Sequence, residues 1–90
     1  TMNLMHIYAQ DGPHDEAIII ANGEALQALL RAIGAARYAA NHRGQCDVLT
    51  ADGEHYSVVV VLKNDDWQSP AWQSMLMPYA AEIDKAALLK

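Results

Sequence analysis

The chain has no phenylalanine and a single cysteine, Cys46. One thiol excludes an intrachain disulfide and points to a reducing compartment, so the expected location is the cytoplasm. Basic residues are scarce: six Lys and Arg stand against eleven Asp and Glu, a formal net charge of −5. Phosphate binding needs clustered Lys and Arg, and here they are scattered from Arg31 to Lys90, so nucleic acid is not an expected partner. No apolar run approaches the ~20 residues a membrane span requires. No basic segment followed by an apolar stretch opens the chain, so no secretory signal is expected. Thr1, ahead of Met2, reads as a residue left over from expression.

What is present is an ordinary globular composition, 52% hydrophobic and 19% charged, which argues against disorder. Ninety residues make one α+β domain. The most apolar and most β-branched stretch is Tyr56-Ser57-Val58-Val59-Val60-Val61-Leu62. Branched Cβ atoms crowd a helical turn and suit a pleated strand, so a central strand covered on both faces is expected here. Without Phe, the core should rest on Leu, Ile, Val and Met, with the two Trp and four Tyr around it.

Asn3 to Ala9 reads as a first strand and Glu16 to Ala21 as a second, joined through Asp11-Gly12-Pro13 and so folded back antiparallel. Asn22 is a helix cap, with Glu24 in the first turn. Leu26, Leu29, Leu30, Ile33, Ala36 and Ala40 recur at helical spacing and predict the buried stripe, with Gly44 as the left-handed terminator. Cys46 to Ala51 and His55 to Lys63 form a hairpin around Asp52-Gly53. A two-residue loop pairs Leu49 with Tyr56 and a three-residue loop pairs Val48 with Tyr56; one residue of slip exchanges the faces. Ser69-Pro70 opens a short helical turn that Pro78 interrupts, and Tyr79 onward suggests a last helix. The expected fold is a two-layer β-β-α-β-β-α arrangement, a four-stranded antiparallel-rich sheet with the main helix on one face and a C-terminal helix beside it.

Four histidines and one cysteine raise metal binding, yet no Cys-x-x-Cys or His-x-x-x-His spacing is present, so no metal or cofactor is expected. His42 and Cys46 straddle Gly44, and His55 lies at the far end of the hairpin from Cys46, so no catalytic set is expected either. The pairs Asp15-Glu16 and Asp65-Asp66 sit at element boundaries, where solvated charges are usual. The glycines are isolated and form no phosphate loop.

The segment Trp67 to Tyr79 is the most suggestive. It sets Trp67, Trp72 and Tyr79, with Met75 and Met77, beside Asp65 and Asp66. Two roles are open to these side chains: covering a face of the sheet, or contacting a partner, since Trp, Tyr and Met are enriched in interface cores. Tyr38, on the polar side of the main helix, is a second exposed candidate.

His14 to Ile20, Glu24-Ala25-Leu26 and Thr50 to Tyr56, followed by Trp72 and Met77-Pro78-Tyr79, resemble a group of short proteins of Gram-negative bacteria and their phages. The resemblance covers most of the chain and implies no activity or catalytic motif. Small acidic α+β proteins of similar layout also occur among bacterial immunity proteins, a likeness of fold alone. The leading expectation is a non-catalytic module that binds another protein. The alternative is a small-ligand or enzymatic pocket between the sheet and the C-terminal segment that uses His6, His55 or Cys46. A free strand edge leaves the chain a monomer or a homodimer by edge pairing.

Overall fold

The computed structural model describes residues 2–89. It is α+β, with strands β1 (Met5–Tyr8) and β2 (Ile18–Ala21), helix α1 (Gly23–Tyr38), strands β3 (Arg43–Leu49) and β4 (His55–Val61), and two single-turn helices, α2 (Pro70–Gln73) and α3 (Lys85–Leu88). The four strands do not merge into one regular sheet. β1 pairs antiparallel with β2, β3 with β4, and a lone parallel bridge from Leu4 to Leu49 joins the two ribbons. The ladder goes no further because its next donor and acceptor are taken by side chains: the His6 ring accepts the Ala51 N–H, and the Met5 carbonyl accepts the Tyr56 hydroxyl.

Asn22 caps α1 as its sequence predicts, accepting the Ala25 N–H at 2.9 Å. The buried stripe differs from the expected one. Ala25, Ala28, Ala32 and Ala36 face the β3–β4 ribbon, while Leu26, Leu30, Ile33 and Ala40 are exposed and Leu29 is half-buried. The reason is a close approach. A Cβ at Gly44 would lie 1.8 Å from the Ala32 carbonyl oxygen, so the helix sits too near the strand for large side chains on this face. Gly44 is therefore a packing residue within β3, not the helix terminator; the left-handed residue after the helix is His42, at φ 52°.

The hairpin takes the register that pairs Val48 with Tyr56, with Thr50 and Glu54 closing the turn and Gly53 at φ 88°. Gly44, Cys46 and Val48, with Val60, Val58 and Tyr56 opposite, form the row that faces α1. The other row carries Arg43, Gln45, Asp47 and Leu49 against Val61, Val59, Ser57 and His55. This mixed face overturns the expectation that the valine strand is covered on both sides. β4 is an edge strand, and the core centres on Met5, Ala25 and Val48, with Ala21, Leu29, Cys46, Tyr56 and Val58 around it.

The C-terminal part is less helical than expected. Tyr79 to Asp84 is irregular, and α3 begins only at Lys85, where the Asp84 carboxylate accepts the Ala86 N–H and fixes the start. Pro70 opens α2 as expected, but the Ser69 hydroxyl forms no cap bond.

Candidate binding surfaces

The segment 65–79 folds mainly upon itself. The Trp72 indole Nε1 donates to the Asp65 carbonyl at 3.0 Å, and the Gln73 amide donates to the Trp67 carbonyl at 2.6 Å. These bonds fix the backbone and leave the rings outward: Trp67 is 68% and Trp72 40% exposed, with Leu76 and Met77 exposed beside them. Asp65 and Asp66 are exposed in the same turn. Tyr79 and Met75 are half-buried, and Met75 turns instead into a hollow of about 380 Å³ shared with Lys63, Ile83, Ala87 and Leu88. Tyr38 stands on another element, at the end of α1, 77% exposed with the Arg37 guanidinium 5.0 Å from its ring centre.

A second surface lies where β1 meets the β3–β4 turn. His6, Ile7, Tyr8, Thr50, Asp52 and Tyr56 line an open concavity of about 610 Å³. The His6 Nε2 accepts the Ala51 N–H at 2.9 Å, so in the neutral ring the proton sits on Nδ1, which donates to the Tyr8 hydroxyl oxygen at 2.9 Å. The Tyr8 O–H is then free to donate. On the other side, the Tyr56 hydroxyl donates to the Met5 carbonyl at 2.5 Å. Burial, and secondarily the nearby Cys46, raise the Tyr56 pKa above its usual value. The Thr50 hydroxyl bonds the Asp52 carboxylate, which also accepts the Glu54 N–H, and together these hold that carboxyl below the usual range.

The expected pocket of His6, His55 and Cys46 is not assembled. Cys46 packs under α1, His55 is exposed opposite Leu49, and only His6 lines the concavity, which is bounded by the hairpin turn and not by the C-terminal segment. Burial and the adjacent Asp47 push the Cys46 thiol up, opposite to what an activated nucleophile needs. Among the described residues, no three His, Cys, Asp or Glu side chains converge as a metal site would require. Among the described residues, no helix is long and apolar enough to cross a membrane.

Tyr8, Thr50 and Tyr56 were not legible as one surface, because what joins them is the hydrogen bond from Ala51 to His6, across 45 residues. The alanine row of α1 was legible in principle: Ala25, Ala28, Ala32 and Ala36 keep i, i+3, i+4 spacing. Comparison with protein-family models, with curated proteins and with solved structures finds no match.

Proposed function

We propose that the chain is a non-catalytic binding module that docks on another protein through the 65–79 segment. The observation that carries this reading is the exposure of Trp67 and Trp72 on a backbone already fixed by the bonds from Trp72 to Asp65 and from Gln73 to Trp67. Rigid, amphipathic rings lose little conformational freedom on docking, and each buries roughly 150–250 Å². Exposed Asp65 and Asp66 at the rim favour a partner with basic residues. The raised Cys46 pKa and its distance along β3 and β4 from His55 support a non-catalytic role. The test is an affinity pull-down read by mass spectrometry, with Trp67→Ala and Trp72→Ala as matched baits of verified helical content. A stoichiometric protein kept by the native bait and lost by both variants is expected. Equal retention by both folded variants shows the reading to be wrong.

A second reading, a small-ligand site at His6, Tyr8 and Tyr56, is favoured by the concavity of about 610 Å³, within the usual ligand-pocket range, and by the free Tyr8 O–H. A ligand screen by thermal stabilisation tests it, with His6→Ala abolishing any shift.

A further inference from the structure

The chain exposes more surface than its mass explains. Its accessible area is 6892 Å², whereas a folded monomer of 9.9 kDa has about 5,200 Å². Its radius of gyration is 14.3 Å, against about 12 Å for a compact domain of 90 residues. The surplus of about 1,700 Å² is spread over the whole chain; doubled, it is an upper bound that reaches the roughly 2,000–5,000 Å² that obligate homodimers bury.

Six of the exposed large aliphatic residues lie on two elements consecutive in the chain, β2 and α1, and the turn between them makes one corner of the fold. Ile18, Ile19 and Ile20 are exposed on both faces of β2, Ile20 to 62%, and β2 is the free edge of its ribbon. Two residues later α1 begins, and Leu26, Leu30 and Ile33 form an apolar stripe about 120° around the helix from the alanine row. Leu30 is 59% exposed. A helix with two apolar faces uses one against its own sheet and leaves the other for a neighbour. A two-stranded ribbon covered only at its Met5–Ala21 end is marginal in water.

We propose that a second copy of this chain covers this corner, β2 pairing antiparallel with its own copy and the Leu26–Leu30–Ile33 stripes packing across the twofold axis. Charge favours self-contact over a charged partner. Neither β1 nor β2 holds a charged residue, and the acidic side chains that give the net −5 lie outside both the strands and the stripe. Arg37, one turn beyond Ile33, is the charged residue that continues the stripe; the rest of this surface offers a charged partner no counter-charge and meets its own copy without like-charge repulsion. An edge strand paired antiparallel with itself also satisfies the two-fold symmetry that a closed dimer needs.

The test is size-exclusion chromatography with light scattering at about 50 μM, a concentration at which a tight homodimer stays associated. The native chain is expected at twice 9.9 kDa, near 20 kDa. Ile20→Lys and Leu30→Glu should each halve that mass with helical circular dichroism kept. The native melting temperature should rise with protein concentration and the variants' should not. A native chain that is monomeric at that concentration, with a concentration-independent melt, overturns the proposal and gives the corner to a different protein. A dimer that survives both substitutions overturns the surface. Should a variant lose its helical signal, amide exchange at native Ile18 to Ala21 decides: slowing at higher concentration supports the pairing, and no change overturns it.

Discussion

Gly44 lies directly beneath Ala32: a Cβ on the glycine would meet the alanine carbonyl oxygen at 1.8 Å. The contact sets the distance between α1 and the β3–β4 ribbon. Gly44→Ala has no flexible neighbour to displace, since the obstacle is backbone, so the helix itself must move. The expected loss is at least about 2 kcal/mol, measured by urea unfolding.

The same closeness predicts opposite outcomes for the two apolar rows of α1. Ala28→Leu should destabilise the fold by roughly 1–3 kcal/mol, as overpacking does. Leu30→Gln, compared in the Ile20→Lys background where no dimer forms, should leave the fold nearly unchanged. Equal costs in chemical denaturation would mean that the leucine row is the buried one.

Asn22 does more than cap. Its side-chain oxygen accepts from Ala25 N–H and also from Leu4 N–H at 3.2 Å, and its amide donates to the Met2 carbonyl at 2.7 Å. Asn22→Ala should therefore cost about 2 kcal/mol, the upper end for a lost cap. Faster amide exchange at Leu4 should accompany it.

Tyr56 gives a pH dependence. Its folded pKa is raised above the ordinary 10.0, so the folded state keeps the proton longer than the unfolded chain. Its contribution is present in full below the unfolded value and is lost as pH climbs through the folded one. Tyr56→Phe should cost about 1 kcal/mol at neutral pH through the lost bond to Met5. It should also flatten the alkaline limb of stability measured from pH 9 to 11.

The His6 proton is placed by the Ala51 N–H, which needs an unprotonated Nε2. Ring nitrogen shifts in nuclear magnetic resonance should show the Nδ1–H form of the neutral ring. The Nε2–H form would contradict the hydrogen bond from Ala51.

Local chemistry was the legible part of the sequence. Asn22 as cap, Pro70 as helix start, Gly53 at positive φ and the antiparallel return of β2 each follow from one or a few neighbouring residues. Val48 against Tyr56 was one of two registers that the residues allowed. What stayed hidden depends on distance between elements. Nothing near Gly44 in sequence says that a helix will press on it, and hydropathy ranks leucine above alanine, so Ala36 and Leu29 are legible as inward-facing while Leu26, Leu30 and Ile33 are expected inside in place of Ala25, Ala28 and Ala32. The valine run misleads for a similar reason: only the register shows that Val59 and Val61 stand opposite the polar Gln45 and Arg43 on the outer row. For the candidate surfaces, Trp67 and Trp72 were visible by residue type, whereas their exposure, and the concavity around His6, required the fold.

The single bridge from Leu4 to Leu49 has a consequence for how the chain is made. The helix and hairpin, from Gly23 to Val61, are contiguous and pack mainly on each other, but the first ribbon is joined to them by contacts such as Tyr56 to Met5, 51 residues apart. On a ribosome the ribbon emerges first and has no docking site until β3 follows. Ile18, Ile19 and Ile20 are bare before and after that step, so of the two ribbons the one made first is the more aggregation-prone and the later to be secured.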